Sequence, residues 1–475
     1  MIVSLTAARA AASSRLSPPP TPWQSVAIHA AVFVAWIALF VLAFVQGGVL
    51  AWSVGIAYIA YDTLLQAFVF WQTWALRKPL RQDAVARGRC SVGVIVAAHN
   101  EAKVLEATLG ALLGQSDPPD VVVIADDGST DATAHLLLEQ YALVAPEVGA
   151  QSAAGTGASL LSWLRLPHGG KARALNAAIV GIGTDIVLTV DADTLLDRRA
   201  IATVRRAFEA EPELVAVTGI ITPVCKPTLS GRCLEWFQTY EYIRNFLSRY
   251  AWMEVESLLL VSGAFAGFRR DAVVAVGGFD PACLVEDYEL IHRMRRHAVA
   301  LGQVWRFRVL GGAQARTEAP GSVGAFLRQR RRWFGGFLQT QYWYRAMVGD
   351  RRQGRLGTMM LPVKAIDTLQ PLYGLTAFAL LVVYAVTRRL DIIAPVAALI
   401  GAKIGLDLAF HLWSVHLYRR WVDDASRASF GWALVAALVE PFTFQLLRHT
   451  GAALGWVSFL TGQRSWGRQT RFGLE

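Results

Sequence analysis

Ile186-Val187-Leu188-Thr189-Val190-Asp191-Ala192-Asp193 reads as a buried strand that stops abruptly in two carboxylates. Its opening residues are large, apolar and mostly β-branched, which suits a strand covered on both faces. Asp191 and Asp193 then stand one residue apart at the carboxyl end, the edge at which open α/β sheets bind ligands. Two acids at an apolar strand end repel one another unless a cation sits with them. A hard divalent ion with oxygen ligands, Mg2+ or Mn2+, is the natural guest, and it brings a diphosphate with it. Taken alone, Asp-x-Asp reads more readily as a helix cap or a turn. The polar clusters elsewhere in the chain reverse that preference.

The composition frames the domain this strand belongs to. The sequence has 475 residues, 54% hydrophobic and 17% charged, with a mean hydropathy of +0.36. That is too apolar for an ordinary soluble protein and too polar for one that lies wholly in lipid, so a soluble domain flanked by spanning helices is expected. The net charge of +10 is carried largely by Arg. Several Arg clusters adjoin hydrophobic segments, which makes them membrane-facing and cytoplasmic and not a nucleic-acid footprint. Cys90, Cys225, Cys233 and Cys283 form no C-x-x-C pair and no zinc spacing, the usage of free thiols in a reducing compartment.

Val26 to Gln46 carries no formal charge and is long enough to span; Val49 to Trp71 is a second span, broken only by Asp62. Arg77, Lys78, Arg81, Arg87 and Arg89 follow, and the positive-inside rule places them and the next domain in the cytoplasm. From Ser91 strands and helices alternate. Strands are expected at Val92–Ala97, Val121–Ile124, Leu160–Leu164 and Leu214–Thr218, with Ser129 or Thr130 capping a helix from Asp131. This order predicts a mostly parallel sheet covered by helices. Polar clusters fall at successive strand ends: Asn100 and Glu101, Asp126 and Asp127, then Asp191 and Asp193. Ala98, His99 and Asn100 follow the first strand where a dinucleotide fold carries Gly-x-Gly-x-x-Gly, and no Walker A pattern occurs. Later come an aromatic-rich helix over 231–250, the small turn Ser262-Gly263-Ala264, the Gly277-Gly278-Phe279-Asp280 turn, and a helix opening at Glu286 and Asp287. Acids in a first helical turn are also plain capping. Leu327 to Phe337 reads as a basic amphipathic helix on the membrane surface.

Four marks in chain order, Asp126-Asp127, Asp191-x-Asp193, Glu286-Asp287 and Gln329-x-x-Arg332-Trp333, resemble the membrane-embedded processive family 2 glycosyltransferases, which include poly-N-acetylglucosamine, hyaluronan, chitin-oligosaccharide and cellulose synthases. The resemblance covers roughly residues 91–340 and the spans on either side. Val261-Ser-Gly-Ala-Phe265, Gly277-Gly-Phe-Asp280 and Ser465-Trp-Gly467 resemble the poly-N-acetylglucosamine branch. Two positions depart: His99 stands where that family usually has an aromatic, and Val285 where it often has a hydroxyl.

The resemblance implies a nucleotide-sugar-binding GT-A (Rossmann-like) α/β domain inserted between transmembrane helices. Residues 1–25 become a cytoplasmic N-terminus, 26–71 two spans, 72–320 the cytosolic domain, 321–355 an amphipathic interface, 356–462 C-terminal spans and 463–475 a basic tail. It implies roles as well. Glu101 and Asp126 or Asp127 hold the uracil and ribose of a UDP-sugar, Lys171 and Arg173 lie near the nucleotide, and Asp191 faces the ribose. Asp193 ligates Mg2+ or Mn2+. Asp287, beside Glu286, is the general base. Gln329 binds substrate, Arg332 adds positive charge at the leaving diphosphate, Trp333 stacks on the acceptor, and Gly263 leaves room for the acceptor's end. The expected partners are the donor, a growing glycan or lipid acceptor, membrane lipids and an accessory membrane subunit; the expected place is a bacterial inner membrane. Two other readings follow: a non-processive transferase acting on a lipid acceptor, and a catalytically silent transporter or scaffold. Retention of every charged role speaks against the second.

The C-terminal third returns to lipid at Leu369–Val386, entered by a kinked or interfacial stretch from Leu356, and at Ile392–Tyr418. Lys403, Asp407 and His411 share one face of the latter, as helix–helix glue or as the polar wall of a sugar path. Arg419, Arg420, Arg427, Arg464, Arg468 and Arg471 look cytoplasmic, so part of Ala428–Leu460 is expected to be interfacial or re-entrant.

Overall fold

A computed structural model describes residues 5–77, 88–153, 159–422 and 428–462. Lys78, Arg81, Arg87 and Arg427 lie outside the described residues, as does the tail with Arg464, Ser465-Trp-Gly467, Arg468 and Arg471. The chain begins with α1 (Leu5–Ala12), α2 (Trp23–Val45) and α3 (Ser53–Thr73). The α/β domain opens with β1 (Val92–Ala98), α4 (Ala102–Leu113), β2 (Val121–Asp127), α5 (Thr133–Tyr141), β3 (Leu160–Leu166), α6 (Lys171–Gly181) and β4 (Ile186–Asp191). All pairings in the run β3-β2-β1-β4 are parallel, as the alternating pattern predicts. The alternation of side chains decides the covering. Val92, Val94 and Val96 pack with Leu105, Leu109 and Leu112 of α4, whereas Ile95 packs on the other face with Ala174, Leu175 and Ala178 of α6. Each such fully buried Val or Leu stabilises by about 1.5–3 kcal/mol.

The second half is mixed in direction. It runs β5 (Thr194–Leu196), α7 (Ala200–Ala210), β6 (Leu214–Val224), α8 (Leu229–Glu254), β7 (Phe265–Arg269), α9 (Arg270–Ala275), α10 (Glu286–Ala300) and β8 (Arg306–Glu318). β7 pairs antiparallel with both β4 and β6, and β5 antiparallel with β8, in one sheet ordered β3-β2-β1-β4-β7-β6-β8-β5. β7 and β8 were not expected from the sequence. The helix after β2 is also capped differently: Asp131 Oδ1 accepts from the Thr133 amide at 3.0 Å, while the Ser129 hydroxyl instead receives the Asn100 amide at 3.0 Å.

Then follow α11 (Val323–Trp343), α12 (Leu361–Val386), α13 (Leu390–Trp421), α14 (Phe430–Val439) and α15 (Phe444–Leu460). A π-helical turn at Leu356–Met360 precedes α12, at the stretch where a kinked or interfacial entry is expected. Trp23–Val45, Gly48–Arg77, Leu356–Val386 and Leu390–Trp421 are long and apolar enough to cross a membrane, and α14 and α15 form a pair bent by 47°. α11 is not the free surface helix its charges suggest. It packs along α15, where a Cβ on Gly455 would lie 2.8 Å from Phe334 Cβ and 2.9 Å from the Gly335 amide. α1 closes the other side of the domain: Arg15 makes a two-pronged contact with the fully buried Asp280, at 2.8 and 2.9 Å, in the turn just before α10.

Candidate active site

β1 leads its connection to one side of the sheet and β4 lies on the other, so the crevice beyond their carboxyl ends is the switch point of this fold. Asp191 ends β4 opposite Ala97 of β1. Its Oδ1 pairs with Lys171 Nζ, which reaches it from the first turn of α6. The same ammonium donates to the Gly263 carbonyl at 3.2 Å and stands 3.8 Å from Glu286 Oε1. Burial works against the charged lysine, but Asp191 and then Glu286 outweigh it and raise its pKa, so it stays a cation. Asp193, two residues on, is buried, with the Thr317 and Thr194 hydroxyls 3.4 and 3.5 Å from Oδ1.

Glu286 and Asp287 open α10, where the helix N-terminus favours negative charge. Asp287 Oδ2 accepts from the Gly263 amide at 2.7 Å and Oδ1 from the Tyr288 amide at 2.8 Å. Position 263 is glycine because a Cβ there would stand 2.8 Å from Asp287 Oδ2. The absent side chain at 263 thus lets the Asp287 carboxylate approach the backbone closely. Burial, opposed by Lys171 and assisted by Asp287, pushes Glu286 up to about 7.

The first two strand ends form a second cluster. Asn100, in a left-handed conformation, accepts from the Thr130 and Asp131 amides at 2.7 and 3.1 Å and ties the two loops together. Glu101 is buried at the head of α4. Asp126 accepts from the Trp163 indole at 3.1 Å and the Ser129 amide at 2.8 Å. Asp127 accepts from the Gly169 and Gly170 amides at 2.7 and 2.9 Å, holding the loop that opens α6. Both carboxylates thus already serve the protein, with further lone pairs left for a ligand. Arg173 is exposed on α6 beside Gly169. Above Asp127 the rings of His99 and His168 stack, with centroids 4.4 Å apart. One ligand atom from each of His99, Asp127 and His168 lies within 4.8 Å of the others, a grouping able to hold a metal ion. His168 was not singled out by the sequence; its role needs the β3–α6 loop folded back onto β2.

On α11 the Gln329 side-chain carbonyl is buried with no hydrogen-bond partner among the described residues, an acceptor left for a ligand. Arg332 and Trp333 are half-buried beside it. Arg330, between them in sequence, donates twice to Glu241 of α8 at 2.8 and 2.7 Å and lies 4.6 Å from the Trp333 ring. Glu241 also receives Arg448 of α15 at 3.0 Å. Arg448 stands 3.9 Å from Glu440, which is paired with Arg244. These charges reach a polar cavity of about 210 Å³ between the apolar helices, lined by Asp62, Arg244, Gln370, Lys403, Asp407 and Glu440. Lys403 bridges Asp407 on its own helix and Asp62 of α3, the latter at 2.6 Å. Lys403 is therefore both glue between helices and part of a cavity wall. Glu241 was missed because nothing in its local sequence marks which face of α8 it occupies.

A family model described as glycosyl transferase family 2 matches residues 93–277, and one described as glycosyl transferase family group 2 matches residues 186–391. The poly-beta-1,6-N-acetyl-D-glucosamine synthase of Staphylococcus aureus strain COL is 27% identical over 247 residues, 51% of this chain and 53% of that protein. Its counterpart from Staphylococcus epidermidis is 26% identical over 252 residues, covering 52% and 54%. The chain thus spans about half the length of the curated relatives it matches. A mannosyltransferase from Pyrobaculum calidifontis, solved in complex with GDP-Man and Mn2+, superposes with a TM-score of 0.52 at 22% identity, over 82% of this chain and 99% of that one. At that identity the likeness establishes the fold. The matched segments together run over residues 93–391 and take in the strands and helices that carry these carboxylates; that part of the chain matches the family 2 glycosyltransferases, and its α/β domain has the GT-A fold.

Proposed function

We propose that this protein is an inverting, metal-dependent glycosyltransferase. It takes sugar from a UDP-sugar, UDP-N-acetylglucosamine foremost and UDP-glucose next, to extend a β-linked polysaccharide that it passes across the membrane. The observation that carries the reading is the linked set Asp191–Lys171–Gly263–Asp287: a cation and a carboxylate pair at the strand end are wired through one glycine to a carboxylate with a free face. The relatives' names, poly-beta-1,6-N-acetyl-D-glucosamine synthases, support the sugar and the polymer.

In this reading Glu101, Asp126 and Asp127 border the uridine, with His99 and His168 as the stacked wall beside it. Arg173 lies at the nucleotide's edge, and Lys171 holds Asp191 toward the ribose and diphosphate. Asp193 offers hard oxygen donors next to two hydroxyls, a set that fits Mg2+ or Mn2+ when a diphosphate completes the coordination. When bound there, the ion supplies Lewis acidity at the diphosphate. Asp287 takes the proton of the acceptor hydroxyl as its oxygen attacks the anomeric carbon. The bond from that carbon to the diphosphate oxygen breaks, and the electron pair leaves with UDP. One displacement inverts the carbon, so an α-linked donor gives a β-linked product. Arg332 and Gln329 meet the departing phosphate, Arg332 by charge, and Trp333 carries the acceptor ring. The catalytic domain faces the cytoplasm of a bacterial cell, and the polar cavity beneath α11 receives the product.

Asp287→Asn is the direct test. It is expected to lower transfer by about 10²–10⁴-fold while calorimetry still shows UDP-sugar binding. Transfer near the wild-type rate would remove Asp287 from the role of base.

A further inference from the structure

Arg249 of α8 has no role in the account so far. Among the described residues its guanidinium makes no hydrogen bond and no salt bridge, and its Nε is sealed from solvent. A buried guanidinium nitrogen left without a partner is costly, and such groups persist where a ligand completes them. Burial lowers its pKa; the opposing charges are first Tyr242 and then Asp287. Asp287 is thus near enough for its charge to act on Arg249, yet both Asp287 oxygens are bonded elsewhere, to the Gly263 and Tyr288 amides. Guanidinium and base feel each other's charge without closing into an ion pair.

Tyr242 lies seven residues earlier, two helical turns, and so on the same face of α8. Its hydroxyl also has no hydrogen-bond partner among the described residues, and Arg330, next to Trp333, is the first charge acting on it after burial. This face of α8 therefore lies within reach of the charge of the base at Arg249 and, at Tyr242, of the charge of Arg330, which sits over Trp333. The donor's diphosphate already has two cations assigned to it in the transferase reading, Lys171 beside Asp191 and Arg332 of α11.

We propose that Arg249, with Tyr242 beside it, binds the acceptor sugar, donating to a hydroxyl or amide oxygen next to the attacking hydroxyl and so presenting that hydroxyl to Asp287. The planar fork of a guanidinium suits two neighbouring oxygens of a sugar ring, which a lysine would meet as a single point. This assignment rests on the transferase reading above.

The test uses the full chain in lipid nanodiscs with UDP-N-acetylglucosamine as donor and a β-linked N-acetylglucosamine trisaccharide as the probe acceptor. Arg249→Met is expected to raise the acceptor KM at least tenfold. Arg249→Lys should recover part of that loss, and Tyr242→Phe should show a smaller change in the same direction. Donor Kd by calorimetry should stay within twofold of wild type, which also shows that the variants are folded. A fall in donor affinity with the acceptor KM unmoved would make Arg249 a donor-side cation and overturn the proposal. An unchanged acceptor KM in Arg249→Lys and Tyr242→Phe would overturn it even if Arg249→Met failed to fold. A wild-type chain that releases UDP from no donor would instead sink the transferase reading, and this assignment with it.

Discussion

At Glu286 burial and charge pull in opposite directions, and burial wins: the carboxyl titrates near 7, against the Lys171 ammonium and with Asp287 adding to the rise. Relative to the unfolded chain the native state favours the neutral acid. The stability this contributes is present below about 4.5 and lost as pH rises through about 7. In the proposed mechanism the effect on rate has the other sign, since an ionised Glu286 places negative charge beside Asp287 and would strengthen it as the base. Transfer is expected to rise through pH 7 in a pH–rate profile, and Glu286→Gln to flatten that step; a step that survives the substitution belongs to another group. Gly263 gives a second expectation at this scale. Alanine there puts a Cβ 2.8 Å from Asp287 Oδ2, and displacing the proposed base is expected to cost about 100-fold in rate. The thermal unfolding midpoint should barely move; a large drop would mean the turn, not the base, was disturbed. The carboxylates at this site were legible because each ends an apolar run or opens a helix. Arg249 and His168 were not, because their meaning lies in what a distant element places opposite them.

Among the elements, α11 and its contacts decide how Trp333 is held. Glu241 gathers Arg330 of α11 and Arg448 of α15 onto α8 within a buried site. Glu241→Leu leaves both guanidiniums without that carboxylate and is expected to destabilise by about 3–5 kcal/mol, read from denaturant unfolding. Glu241→Gln, which keeps an acceptor oxygen, should fall nearer wild type. Equal stability of the leucine variant would show that the three helices hold together without the carboxylate. The sheet shows the same limit of local reading. β1 to β4 were visible as apolar runs bounded by polar ends. β7 is short and carries Gly267 in its middle, and β8 alternates Arg306 and Arg308 with Phe307 and Val309. Those arginines look like a solvated loop until Glu211 and Glu256 are brought against them from other elements, at distances down to 2.8 Å.

For the whole molecule, the issue is whether the catalytic domain and the apolar helices act together. A run of paired charges leads from Arg330 through Glu241, Arg448 and Glu440 to the cavity walled by Lys403, Asp407 and Asp62. If that cavity receives the product, Lys403→Leu in proteoliposomes should keep UDP release while polymer no longer reaches the far side of the bilayer. Loss of folded protein would make Lys403 a structural link alone, and undiminished delivery would separate the cavity from the product's route. The central claim, that this chain makes a polymer from a UDP-sugar, is tested most directly on purified protein in lipid. A panel of UDP-sugars is offered with Mn2+ or Mg2+, UDP release is followed, and the products are sized against an Asp287→Asn control. The account predicts UDP release with one donor, UDP-N-acetylglucosamine first, and a high-mass β-linked product that the control lacks. A lipid bearing a single sugar, or no release from any donor by folded protein, would contradict it.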